Sequence, residues 1–190
     1  MKKIKRYTGS RIVYSKPNQQ SILRLFCFPY AGGAASIFRN WSHYLPAFIK
    51  VCPVELPRRG NRSKENLFNN LLPLVKILAK DILPHLDKPF AFFGHSMGAL
   101  ISFELAHFLQ RENCFSPIHI FVSGRRAPHI SDTDPPIHKL PESEFIRELR
   151  RLNGTPSSVL QNSELMKLML PVVRAVLLFA KLILIQLKSH

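Results

Sequence analysis

The chain has 190 residues, of which 46% are hydrophobic and 21% are charged. This composition predicts one globular domain with a hydrophobic core, and it excludes intrinsically disordered, collagen-like and low-complexity proteins. The formal net charge is +15, from 27 Lys and Arg against 12 Asp and Glu, which favours acidic partners and says nothing about the fold.

The amino-terminal residues carry an excess of positive charge. Six Lys and Arg side chains lie within residues 1–21, and the first carboxylate along the chain is Glu55. We therefore expect a basic arm over residues 1–21, followed by a single domain over residues 22–190. Because no apolar run follows the first basic residues, a cleavable secretory signal is not expected. The three cysteines form no C-x-x-C pair, which argues against a disulfide framework or a zinc site and favours the cytoplasm.

The first half of the domain alternates between strand and helix signals. Residues 22–28 are mainly apolar and end at Pro29 and a Gly-Gly pair, which predicts a buried strand that passes into a tight loop. A helix capped by Ser36 is expected next, and residues 51–56 predict a second strand despite Pro53. Four side chains at helical spacing predict the buried stripe of that helix: Ile37, Trp41, Tyr44 and Leu45.

The alternation continues through the middle of the chain. Residues 67–86 predict a helix, residues 90–93 a central strand, residues 99–110 a buried helix and residues 118–123 a further strand. Strands that alternate with helices predict an α/β domain built on a mainly parallel, doubly wound sheet.

After Gly124 the chain becomes polar and rich in proline. We expect a lid over about residues 125–170, with one amphipathic helix near residues 142–152. Residues 165–187 are strongly apolar but are interrupted by charged residues and Pro171. A Lys or Arg at the centre of a membrane helix costs about 2.5 kcal/mol or more, so a core or interfacial helix is expected here and not a membrane span.

The strongest chemical motif is Gly94-His95-Ser96-Met97-Gly98, a G-x-S-x-G between a predicted strand and a predicted helix. In that context the serine is expected on a sharp turn as a catalytic nucleophile. The backbone N–H of Met97 would then donate to the oxyanion, with a second donor at Ala31 in the loop after the first strand. The alternatives are a glycine-rich turn with a capping serine and a loop that is only structural.

Several motifs in order resemble the type II thioesterases that serve nonribosomal peptide and polyketide synthases. The likeness covers residues 22–175 and rests on Phe28-Pro29-Tyr30-Ala31-Gly32-Gly33, Trp41, Leu56-Pro57, Arg59-Gly60, Arg62, Lys88-Pro89-Phe90, the Ser96 motif, Phe103-Glu104-Leu105-Ala106 and residues 122–129. It implies an α/β-hydrolase fold with a helical lid, and hydrolysis of acyl groups from the phosphopantetheine thiol of acyl or peptidyl carrier proteins. It implies neither a cofactor nor a metal. Arg58 departs from the family, which usually has glycine there.

The resemblance ends after Ala175, before the catalytic aspartate and histidine that the family places late in its chain. Val176 stands where the aspartate would be expected, and residues 176–190 resemble neither the helix nor the strands of the family. His129 and His138 remain as substitutes for the base by elimination, and Asp132 and Asp134 are expected at the surface. The hypothesis is a carboxyl-truncated thioesterase of very low activity.

Two other functions are weighed against this one. A non-catalytic remnant that binds carrier proteins or acyl groups would keep the same surface without turnover. Binding to nucleic acid through the positive charge has no recognisable motif behind it, so we do not expect it.

Overall fold

The structure is a computed structural model that describes residues 12, 20–62, 65, 68, 70–127, 130, 137–152, 155 and 157–187. The predicted basic arm at residues 1–21 lies outside the described residues, apart from residues 12, 20 and 21. Four strands and five α-helices are described: β1 (Leu23–Phe28), β2 (Ile49–Pro53), β3 (Phe90–His95), β4 (His119–Ser123), α1 (Leu71–Ile82), α2 (Met97–Asn113), α3 (Glu142–Arg151), α4 (Ser157–Leu160) and α5 (Ser163–Leu187).

The four strands form one parallel sheet in the order β2-β1-β3-β4. Leu25 of β1 lies beside Val51 of β2 on one side and beside Ala91 of β3 on the other, and Ala91 in turn lies beside His119 of β4. The predicted α/β class is therefore confirmed. In a parallel sheet the carboxyl ends of all strands meet at one edge, so the loops after β1, β3 and β4 lie together.

Alternate side chains of the strands bury two apolar layers, one on each face of the sheet. On the first face Phe26, Phe28 and Phe92 are fully buried against α1 and α2, and the rings of Phe28 and Phe92 meet edge to face at 5.3 Å. On the second face Leu25 and Ala91 pack against residues that follow β1. Burial of each large apolar side chain contributes about 1.5–3 kcal/mol, so these layers stabilise the sheet.

The predicted helix after β1 is wrong. Two short 3-10 helices, Ala35–Phe38 and Trp41–His43, occupy this region, and the Ser36 side chain makes no capping hydrogen bond. Ile37 and Tyr44 of the predicted buried stripe are exposed. Phe38 and Trp41 pack on Phe93 instead, with ring centroids at 5.9 and 4.7 Å. Phe38 ends the first 3-10 helix and Trp41 begins the second, so both rings reach Phe93 from the connection between the two helices.

The other elements follow the prediction with shifted ends. β2 begins two residues before its predicted start and ends at Pro53, on an edge strand where a missing N–H is tolerated. α1 is shorter than predicted because Asn70 caps it, its side chain accepting a hydrogen bond from the Leu72 amide at 3.0 Å. α2 ends at Cys114, whose left-handed backbone stops the helix.

The carboxyl-terminal part is helical. The amphipathic helix predicted near residues 142–152 is α3, whose buried Phe145 and Leu149 pack against Leu160, Met166 and Leu170. α5 then continues through the tail to Leu187 with Pro171 inside it, so the helix expected over residues 165–187 is confirmed. Arg174 joins this cluster to the segment before α3, because its guanidinium lies 4.2 Å from the centre of the Phe145 ring and donates to the His138 carbonyl at 2.7 Å.

Among the helices that the structure describes, none combines the length and apolar character needed to cross a bilayer.

Candidate active site

Ser96 lies on the sharp turn between β3 and α2. Its backbone has φ 53° and ψ −110°. Residues other than glycine rarely adopt this backbone conformation, because their Cβ atom crowds the neighbouring carbonyl. Two backbone hydrogen bonds hold the turn: the Ser96 amide donates to the Ser123 carbonyl at 2.8 Å, and the Ala99 amide donates to the Ser96 carbonyl at 3.1 Å. This is the strained strand-to-helix geometry that the motif predicts.

The two glycines of the motif are required by close backbone contacts. A Cβ atom on Gly94 would lie 2.2 Å from the Gly98 carbonyl oxygen, and a Cβ atom on Gly98 would lie 2.1 Å from the Phe28 carbonyl oxygen. Backbone atoms cannot yield as flexible side chains can, so a side chain at Gly94 would push α2 away from β3, and a side chain at Gly98 would push α2 away from the end of β1. The glycines therefore bring the start of α2 against the loop that follows β1.

The side chain of Ser96 does not cap α2. Ser96 is the N-cap residue, yet its hydroxyl makes no capping hydrogen bond. The alternative interpretation of Ser96 as a capping serine is therefore not supported. Instead the half-buried Ser96 lines a cavity of about 530 Å³, which we call the Ser96 cavity.

Residues from two parts of the chain line the Ser96 cavity. The edge of the sheet contributes Tyr30, Ala31, Gly32, His95, Ser96 and Gly124, and the carboxyl-terminal helices and their connections contribute Leu149, Leu152, Thr155, Val159, Met169, Val173 and Leu177. The second group is apolar except for Thr155. The cavity thus combines a polar floor around Ser96 with an apolar roof, an arrangement suited to an apolar ligand with one reactive polar group.

Ala31, the predicted second oxyanion donor, also lines the cavity. It lies on a turn that the Gly33 amide closes by donating to the Tyr30 carbonyl at 3.0 Å, and Gly32 has a φ of 88° that favours glycine. Met97, the predicted first donor, is the first residue of α2, where backbone N–H groups have no partner within the helix. The structure thus places both residues at the loops that flank Ser96.

His95 directly precedes Ser96 in the chain, but its imidazole contacts other residues. Its Nδ1 atom forms a hydrogen bond with the Ser123 hydroxyl at 3.1 Å, and its ring meets the Tyr30 ring edge to face at 5.8 Å. A side chain on Gly124 would collide with the His95 ring, at 2.6 Å from its Cε1 atom. These contacts engage the imidazole with Ser123 and Tyr30, and neither of them involves the Ser96 hydroxyl.

Within the described residues, no histidine forms a hydrogen bond with the Ser96 hydroxyl, and the cavity lining holds no carboxylate. His138 lies in a 3-10 helix, where its carbonyl accepts a hydrogen bond from Arg174 at 2.7 Å, and it does not line the cavity. The other predicted substitute for the base, His129, lies outside the described residues, as do Asp132 and Asp134. In the same described part of the chain, no cluster of three metal-binding side chains is found.

Sequence reasoning missed most of the apolar roof. Leu149 and Leu152 could be inferred from the amphipathic pattern of α3, but Met169, Val173 and Leu177 of α5 give no local signal for a cavity. An apolar side chain that lines a cavity has the same sequence pattern as one that fills a core. Only the packing of α5 near the sheet edge distinguishes the two.

Known thioesterases are similar to this chain over most of its length. A family model for the thioesterase domain matches residues 23–182. Gramicidin S biosynthesis protein GrsT of Aneurinibacillus migulanus is 52% identical over 163 residues, which cover 86% of this chain and 64% of that protein. The chain therefore spans just under two thirds of the length of this curated relative.

Two solved structures share the fold. The RedJ thioesterase from the prodiginine pathway of Streptomyces coelicolor is 37% identical with a TM-score of 0.78, covering 89% of this chain and 67% of its own. YbtT, a type II thioesterase from the yersiniabactin NRPS/PKS pathway, is 29% identical with a TM-score of 0.77, covering 88% and 68%. The chain belongs to the thioesterase family, and its relatives are type II thioesterases of the α/β-hydrolase fold.

Proposed function

We propose that Ser96 is the nucleophile of a thioester hydrolase, and that Ala31 and Met97 supply the backbone oxyanion donors. The observation that carries this proposal is the strained Ser96 turn, whose hydroxyl caps no helix and opens on a cavity. Strain in a backbone persists where the surrounding contacts enforce it, and such strain is typical of functional sites.

Hydrolysis of a thioester by this site requires a nucleophile, donors that stabilise the oxyanion, and a base. The Ser96 oxygen attacks the thioester carbonyl, the oxyanion is held by the two amides, and the thiolate leaves to give an acyl-serine. Water then attacks the acyl-serine, which releases the carboxylic acid and restores the hydroxyl. Both attacks need a base to take a proton. Because no described histidine bonds to Ser96, we expect slow turnover by this chain alone.

The substrate class that we propose is an acyl group on the phosphopantetheine thiol of a carrier protein. The apolar roof of the Ser96 cavity suits an acyl chain, and the similar protein YbtT is a type II thioesterase from an NRPS/PKS biosynthetic pathway. We further propose that the single domain over residues 22–190 has residues 125–170 as its lid. The positive charge would favour an acidic carrier protein.

The second candidate is binding of loaded carrier proteins without turnover, and it is favoured by the same lack of a described base at Ser96. It shares the cavity and the partner with the first proposal. The two differ in one respect only, which is whether an acyl group is transferred to Ser96.

The test uses a carrier protein loaded with an acyl-phosphopantetheine. Intact mass spectrometry of the chain detects acyl-Ser96, and chromatography measures the released acid. We expect an acyl adduct and slow acid release that Ser96→Ala abolishes and that Ser36→Ala, at an exposed serine, retains. Binding of the loaded carrier that survives Ser96→Ala, with neither adduct nor acid, would establish the second candidate instead.

A further inference from the structure

We infer that Glu55 is a positioning residue that holds the loop bearing Ala31 in the geometry of an oxyanion donor. This inference rests on the proposed function of Ala31. Glu55 follows β2, and it is only 6% exposed although it carries a carboxylate. Buried carboxylates are rare unless they are paired or hydrogen-bonded, so this one requires a structural reason.

The reason lies in one contact across the sheet edge. The Oε1 atom of Glu55 accepts a hydrogen bond from the backbone amide of Ala35 at 3.1 Å, and this bond is buried. Ala35 is the first residue after the loop that leaves β1 at Phe28 and contains Ala31. The loop is therefore held at one end by the sheet and at the other end by Glu55.

Between these two ends, a single described backbone hydrogen bond has both of its partners in the loop, from the Gly33 amide to the Tyr30 carbonyl. Gly32 and Gly33 lie in this stretch, and glycines give the backbone many accessible conformations. The direction of the Ala31 amide thus depends on the position of Ala35. Releasing Ala35 would let the amide turn away from the oxygen that it must stabilise.

Glu55 is itself held firmly in place. Arg62 donates from Nη1 to the Glu55 carbonyl at 2.7 Å, and Arg62 also pairs with Glu65, whose Oε1 lies 2.7 Å from its Nε. Gly60 leaves the space for the carboxylate, because a Cβ atom there would lie 2.4 Å from Glu55 Oε2. Gly60 also has a φ of 47°, so a side chain at this position would be strained as well as obstructive.

One buried cation, Arg59, interacts electrostatically with the Glu55 carboxylate. Arg59 is 8% exposed, and burial lowers the pKa of its guanidinium, whereas the negative charge of Glu55 acts in the opposite direction and raises that pKa. The carboxylate therefore offsets part of the cost of burying Arg59. Glu55 does not line the Ser96 cavity, so it acts through the loop and not on the substrate.

The test compares three variants of the full chain by amide hydrogen exchange. Glu55→Ala removes the acceptor, Glu55→Gln keeps an oxygen acceptor without the charge, and Glu65→Ala removes the carboxylate that pairs with Arg62. We expect exchange of residues 30–38 to rise about tenfold or more in Glu55→Ala, while Glu55→Gln and Glu65→Ala stay near wild type. If Glu55→Ala does not fold, Ala35→Pro removes the donor instead. Proline is compatible with position 35 because Ala34 is extended, with φ −113° and ψ 167°, and a residue before proline prefers this conformation.

A rise in exchange spread equally over β1, β3 and the loop would assign Glu55 a general stabilising role and overturn the inference. The second measurement is the rate of Ser96 acylation by an activated ester. We expect a decrease of about tenfold in Glu55→Ala, recovered in Glu55→Gln, with an unchanged half-saturating ester concentration. Faster loop exchange with unchanged acylation would also refute the inference. A wild-type chain that never acylates at Ser96 would instead refute the proposed function, and the exchange data would still decide whether Glu55 holds the loop.

Discussion

Replacing Ser96 by glycine should give a folded chain that is more stable than the Ser96→Ala variant, because glycine relieves the backbone strain of the turn. Both substitutions remove the hydroxyl, which forms no capping hydrogen bond. Only Ser96→Ala keeps the Cβ atom and hence the strain of a residue with φ 53° and ψ −110°. The difference between the two variants therefore measures the backbone strain of the turn, less the greater flexibility that glycine gives the unfolded chain.

The magnitude follows from two opposing effects. A non-glycine residue in such a conformation costs about 1–3 kcal/mol in the folded state. Glycine also makes the unfolded chain more flexible, which offsets about 0.5–1 kcal/mol of the gain. We expect Ser96→Gly to exceed Ser96→Ala by about 1 kcal/mol in the free energy of unfolding, which corresponds to roughly 2–4 °C in melting temperature for a chain of this size.

Urea unfolding followed by circular dichroism measures this difference, with the melting temperature as a second readout. Arg58→Gly is the matched comparison away from the Ser96 cavity, because Arg58 is exposed and has a φ of 64°. Its left-handed backbone explains why the family usually has glycine there, and we expect a gain of about 1 kcal/mol. If Ser96→Gly is no more stable than Ser96→Ala while Arg58→Gly is stabilised, the turn at Ser96 stores no strain and the reasoning fails.

Two further outcomes follow from burial. Burial raises the pKa of Cys27, and it raises the pKa of Cys52 to about 12, whereas Cys114 is exposed. Since only thiolates react, iodoacetamide at pH 8 should add one group to the folded chain and three after unfolding in urea; a second adduct on the folded chain would contradict this. Phe121 and Val122 of the edge strand β4 are 52% and 58% exposed. Phe121→Lys should therefore reduce concentration-dependent light scattering without lowering the free energy of unfolding. Unfolding of that variant would show instead that Phe121 is packed.

Two large apolar side chains in the middle of β4 are exposed. Successive residues of a strand point to opposite faces, so Phe121 and Val122 show that both faces are open at the middle of β4. In the described part of the chain, no strand pairs with the outer side of β4. An unpaired apolar edge of this kind favours association between chains.

Residue patterns alone predicted the alternating α/β order, the strands β1, β3 and β4, the helix α3 and the turn that holds Ser96. These features depend on signals within a few residues: apolar runs, glycine pairs and the spacing of the motif. The prediction of one helix after β1 was wrong. The apolar spacing there fits a helix, but the packing of Phe38 and Trp41 on Phe93 favours two 3-10 helices. The roles of Ser96, Ala31 and Met97 remain predictions.

The sequence by itself was sufficient to predict the Ser96 turn, because the G-x-S-x-G spacing lies between an apolar strand signal and a helix signal. Tertiary structure alone decided which distant residues meet at that turn. The apolar roof from α5 and the Ala35 contact of Glu55 join residues far apart in the chain, and no periodic pattern encodes such pairs. Their proximity is set by the parallel sheet, which gathers its loops at one edge.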